Sequence, residues 1–237
     1  MIKFTSQMQK RNLTMILISL TISVGLFQGC KTAPAANNTP APAIEVEKTD
    51  PPYPNKEPEK YQTEIWQTTA AGTDKFLVAR DGAKWRIDSA YGSPDQVTTI
   101  HTDRDLVLSF AAKIYSEYPV GHGFDERADT INAMTRGMLN AKEKAAFEKE
   151  GTDGGLTKYK VAADAGKTIE TLVYVDEKLG VPVKKEVYKT EDGHRVLDYS
   201  VQLSGFKTEV DASLFTLPKG FTQVSQDAMK KSLTGGK

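Results

Sequence analysis

The chain has 237 residues, with 31 Lys+Arg balanced by 31 Asp+Glu. It carries no basic cluster of the kind that marks a nucleic-acid or anionic-surface binder. One cysteine, Cys30, is present, which excludes an intramolecular disulfide and leaves any exported domain to hold itself together by its core.

The first 29 residues read as an export signal. Lys3, Lys10 and Arg11 give a basic start with no acidic residue before Cys30, and residues 13–27 form an uncharged, largely apolar run. That run falls short of the ~20 apolar residues needed to cross a bilayer. It ends in Leu26-Phe27-Gln28-Gly29-Cys30, which resembles the bacterial lipobox in a relaxed form, with Phe27 at the usual leucine position. The resemblance implies that Cys30 is lipidated with a diacylglycerol and becomes the new N-terminus, so the membrane is a partner through that lipid. Two acyl chains anchor stably where one binds only marginally. Without residues 1–29 the chain keeps 28 basic against 31 acidic residues, a net charge of about −3. Lys31 follows Cys30 with no acidic residue that would signal inner-membrane retention in the Gram-negative scheme. The expected place is therefore the periplasmic face of the outer membrane, where the organism has one.

Residues 30–58 hold seven of the eleven prolines. Such a segment lacks the apolar surface to fold and favours extended conformations, so it reads as a disordered tether with a reach on the order of 80 Å at ~3.1 Å per residue. Residues 59–225 make one domain's length, and 226–237 read as a flexible polar tail.

Within the domain, Tyr61, Thr63 and Ile65 alternate with Gln62, Glu64 and Trp66, as in a half-buried strand. Phe76-Leu77-Val78 and Trp85-Arg86-Ile87-Asp88 flank Asp81-Gly82, a hairpin signal because glycine accepts the positive φ of tight turns. Strands are expected at 96–101 and 105–115. A helical interlude follows over 125–150: Asp125 can cap it, and Ala128, Ile131, Met134 and Met138 form an apolar stripe at helical spacing. Residues 141–149 continue it with strong helix formers up to Gly151. Strands return at 156–163, 168–176, 182–190, 195–203 and near 206–217, with Leu197, Tyr199, Val201 and Leu203 expected on one face. The pattern predicts an α+β domain: a curved antiparallel β-sheet, an incomplete barrel, closed by a central helical segment.

The run 176–186, with Gly180-Val181-Pro182 introducing a strand of mixed charge, is similar to a strand-turn-strand of the LolA/LolB-like lipoprotein-carrier superfamily. The stretch from Val210 to Phe221, with Asp211, Phe215, Leu217-Pro218 and Gly220, resembles that group's closing motif, and Trp85-Arg86-Ile87-Asp88 resembles its early strand. The resemblance implies a half-barrel whose apolar side, closed by helices, takes acyl chains or other hydrophobic ligands. It carries over no functional residue.

Residues that bear chemistry are scattered. His101 ends a strand beside Asp103, Arg104 and Asp105, readable as an acid–base cluster or as a charged loop at a sheet edge. His122 lies between glycines and His194 follows a turn. No histidine pair has metal spacing, and no nucleophile elbow or phosphate loop occurs. No catalytic residue, metal or cofactor is therefore expected. The expected ligand cavity takes Trp85, Ile87, Leu197, Tyr199, Val201 and Leu203 from the sheet and Ile131, Met134 and Met138 from the helix. The methionine stripe reads either as permanent core or as a movable lid over a lipid, since methionine repacks readily. The leading expectation is a lipid-anchored binder of a lipid or lipoprotein acyl chain. An interaction or sensor module with a filled core and an envelope-protein partner is the alternative, and a hydrolase, which would need His101 or His122 to meet carboxylates in a cleft, is the third reading.

Overall fold

In a computed structural model of the protein, residues 47–120, 126–141, 144–162 and 169–235 are described. The expected signal segment, Cys30, the expected tether as far as residue 46, His122 and the expected cap Asp125 lie outside them. Every described residue belongs to one compact unit, Ala43–Lys237.

Six strands precede the first helix: β1 (Lys60–Thr69), β2 (Gly72–Asp81), β3 (Lys84–Ser89), β4 (Val97–His101), β5 (Asp105–Ser109) and β6 (Ile114–Tyr118). Helix α1 (Glu126–Leu139) leads into β7 (Ala146–Asp153), β8 (Leu156–Ala162), β9 (Ile169–Asp176), β10 (Val181–Glu191) and β11 (His194–Lys207). A 3-10 turn (Ala212–Phe215), β12 (Thr222–Gln223) and α2 (Gln226–Leu233) complete the chain. The twelve strands form one curved, non-closed sheet in the order β12-β6-β5-β4-β3-β2-β1-β11-β10-β9-β8-β7. All described pairs are antiparallel except β6 with β12. The long-range pair β1–β11 joins the two meanders into one sheet. Among the described residues no helix is long and apolar enough to cross a membrane.

Each hairpin follows from its turn chemistry. Asp192 and Gly193, both at positive φ (50° and 78°), link β10 to β11 in the mirror-image turn that matches strand twist. Lys113 (φ 54°) lies in the turn that divides the expected strand 105–115 into β5 and β6. The stretch near 206–217 is strand only as far as Lys207. Beyond it, the Asp211 side chain accepts from Ser213 N and caps the 3-10 turn.

Three expectations are corrected. Residues 146–149 are the start of β7, not helix. Their helix propensity is overridden because Phe147 pairs with Val161 on β8 and packs on Tyr53. The tail is not all flexible: Ser225 caps α2 by accepting from Ala228 N, and Met229 is buried. The tether is not disordered to residue 58, as Tyr53 is buried and Thr49 bridges Ala145.

One face of the sheet is covered in three stretches. Over β4–β6, α2 packs Met229 and Leu233 against Val97, Val107, Ile114 and Tyr118. Over β1–β3, β10 and β11, α1 packs Ala128, Ile131, Met138 and Leu139 against Tyr61, Ile65, Ile87, Val201 and Leu203. Over β7–β9, Tyr53 from the tether packs on Phe147, Tyr159, Val161, Val173 and Val175. The opposite face is covered in its first half by the chain after β11, where Val210, Leu214, Phe215 and Phe221 pack on Ala79, Ile100 and Leu108.

Candidate functional site

The cover of the first face has a seam between the C-terminal end of α1 and the tether, and a cleft of about 590 Å³ opens there. It lies within the ~300–1,000 Å³ typical of small-molecule sites. Its apolar lining comes from Tyr53, Met138, Phe147, Val161, Ile169 and Val173, and its polar lining includes Asn140, Thr171, Lys144 and Lys185. Strand periodicity explains most of the wall. Phe147 pairs with Val161, Val161 with Thr171, and Lys185 with Val173, so these residues share one face of adjacent strands. Ile169, at the end of that face, is 56 % exposed.

The tether builds the remaining wall. Thr49 and Ala145 exchange two backbone hydrogen bonds (2.9 and 3.1 Å). Asn55 Nδ2 donates to the Ala141 carbonyl at 3.1 Å. The Tyr53 ring meets Phe147 edge-on at 5.8 Å and Tyr159 at 5.5 Å. Burial pushes the Tyr53 phenol up to about 12, with Tyr159 adding to the shift, so it stays neutral at physiological pH. Four residues after Tyr53, Glu57 accepts from Tyr61 Oη at 2.7 Å and from Arg80 Nη1 at 3.2 Å. It also lies 3.6 Å from Arg136 Nε in the last turn of α1. One carboxylate thus ties tether, β1, β2 and the helix end that borders the cleft. Tyr61, stacked on Phe206, is raised in pKa chiefly by burial and then by Glu57.

The nine residues expected to line a cavity are placed differently from one another. Ile87, Ile131, Met138, Val201 and Leu203 are buried together, with Trp85, Met134 and Tyr199 partly buried against them, in the packed layer beneath α1. Of these nine, Met138 also lines the cleft. Leu197 does not join them. A bulge in β11 sets Val187 opposite Tyr199 but Tyr188 opposite Leu197, and the extra residue, Asp198, turns Leu197 to the other face. The cleft residues on β7–β10 were legible only as strand positions, because alternation does not say where a cover ends. Tyr53 was hidden by its proline-rich surroundings.

His101 does meet a carboxylate. Its Nδ1 lies 2.5 Å from Asp105 Oδ1, and its ring stacks on Trp85 at 5.1 Å with 6° between planes. Cross-strand pairing extends the row to Tyr118, so Trp85, His101, Asp105 and Tyr118 lie side by side on β3–β6. His194 is exposed. Among the described residues no group of three or more His, Cys, Asp or Glu could hold a metal ion.

The opposite face joins two of the stretches singled out in the sequence. Arg86 donates through Nε and Nη2 to Asp88 (2.7 and 2.9 Å) and through Nη1 to the Leu214 carbonyl at 3.1 Å. The early strand therefore holds down the closing segment. No protein-family model matches the chain, and no curated protein matches it.

Proposed function

We propose that the protein is an exported lipoprotein, anchored through Cys30, whose domain holds an acyl chain or a similar apolar ligand in the cleft beside α1. The cleft is the observation that carries this reading: a concave, partly apolar opening framed by four strands, a helix end and the tether itself. In this reading α1 closes one side of the half-barrel and the tether closes the other. The lipobox resemblance and the likeness to the lipoprotein-carrier superfamily point the same way, toward a carrier, acceptor or lipid sensor on the periplasmic face of the outer membrane. Burying a chain of about a dozen methylenes contributes roughly 10 kcal/mol at ~0.8 kcal/mol each, before the costs of association. A site of this kind binds without a catalytic constellation, and the protein is read as a binder and not as an enzyme.

Uptake of the neutral probe Nile red by residues 31–237 tests the reading. Val161→Trp fills the cleft, and its expected effect is to abolish probe fluorescence while unfolding remains cooperative. Absence of uptake by the wild-type domain would overturn the proposal. A second reading, an interaction or sensor module working with an envelope protein, is favoured by the solid packing beneath α1. It calls for a partner that stays bound after delipidation and for no probe uptake.

A further inference from the structure

The docked end of the tether crosses the domain as a strap held down by one ring. Between residues 47 and 60, Tyr53 is the one residue that is buried. Pro51, Pro52 and Pro54 carry no backbone N–H, so the stretch around that ring does not build a strand ladder. The two ends are fastened differently. At the far end the Glu57 carboxylate meets Tyr61, Arg80 and Arg136, three side chains of the domain proper. At the near end Thr49 and Ala145 exchange backbone hydrogen bonds, and Asn55 donates to the Ala141 carbonyl in between. A segment that buries little apolar surface opens locally, well below the free energy of global unfolding.

These fastenings belong to the cleft itself. Ala141 and Ala145 line it, as does Tyr53, so the strap does not leave them without widening the opening. The apolar surface also continues under the ring. Tyr159 and Val175 are buried there, beside the Phe147, Val161 and Val173 of the cleft wall. Resting on the acyl-binding reading above, we infer that residues 49–56 are a gate, hinged at Glu57, that lifts to admit the ligand and closes over it with Tyr53 against the chain. Docked, the strap is a wall of the site and holds the ligand in. Lifted, it opens the trough as far as Val175.

Thr49→Cys with Ala145→Cys in residues 31–237 tests the gate, since that stretch has no cysteine of its own. A directly hydrogen-bonded antiparallel pair sets its Cα atoms about 5.5 Å apart, inside the roughly 4.4–6.8 Å that a disulfide spans. Oxidised before Nile red is added, the variant is expected to take up the probe about tenfold or more slowly, as for a lid held shut. Oxidised after loading, it should release the probe more slowly by a similar factor, and dithiothreitol should restore both rates. Equal rates in the oxidised and reduced forms would overturn the gate and leave the acyl-binding reading standing. Absence of uptake by the reduced variant and by the wild-type domain would overturn both. Native-state hydrogen exchange of the unmutated domain needs no ligand. The Thr49 and Ala145 amides should exchange by a local opening that low urea does not change, while amides of β1 and β11 wait for global unfolding. Protection of Thr49 as long-lived as that of the central strands would also overturn the gate.

Discussion

Arg86 and Asp88 stand two residues apart on β3, so both side chains enter the same face, and Asp88 is 0 % exposed. Thr98 Oγ1 also donates to Asp88 at 2.8 Å, and Gln96 Nε2 donates in turn to Thr98 at 3.2 Å. A buried pair of this kind adds little over a well-packed apolar pair, but removing one member strands the other. Asp88→Ala is expected to cost about 3–5 kcal/mol, read as a lower urea midpoint at unchanged slope. Arg86→Met with Asp88→Leu should cost far less. The residues of this network were all visible in the sequence, and Trp85-Arg86-Ile87-Asp88 already stood out. Their partner was not, because a side chain donating to the carbonyl of Leu214 leaves no trace in the identity of residue 214.

At the scale of elements, regular periodicity was readable and interruptions of it were not. The alternation of β1 and the stripe of α1 appear where the sequence places them, with Tyr61, Thr63 and Ile65 buried on one face and Ile131 and Met138 buried under the helix. The bulge at Asp198 breaks the alternation of β11 without any glycine or proline to mark it, and it sends Leu197 to the surface. Residues 146–149 are good helix formers drawn into a strand by the neighbouring Thr49–Ala145 bridge and by the Phe147 contacts. The tether matters most here. Composition marks residues 30–58 as unable to fold alone, which is correct physics for an isolated segment, but a single aromatic and a few polar side chains suffice to dock its end on an existing sheet. Tyr53→Ala removes the ring that caps β7–β9 and one wall of the cleft. It is expected to cost about 3–5 kcal/mol, as for other buried aromatics cut to alanine, and to weaken Nile red uptake. Loss of stability with unchanged uptake would show that the tether is only structural.

For the whole molecule, the two ends of the chain do similar work at opposite ends of one long sheet. The tether covers β7–β9, and the C-terminal segment adds β12 beside β6 and places α2 over β4–β6. Between them α1 packs on the middle strands. The sheet-and-helix class was readable because alternation and turn signals recur along the domain. The site was not, because it lies at a seam between two covers that are far apart in sequence, Tyr53 and Met138.

The most direct measurement is native mass spectrometry of residues 31–237 purified from bacterial cytosol, followed by solvent extraction and reloading with fatty acid. The expected result is a reproducible adduct that extracts as a lipid or fatty acid, returns on reloading, and is lost in Val161→Trp. A clean unliganded mass that takes up no added fatty acid would remove the acyl-binding reading and leave a filled domain that acts through a protein partner.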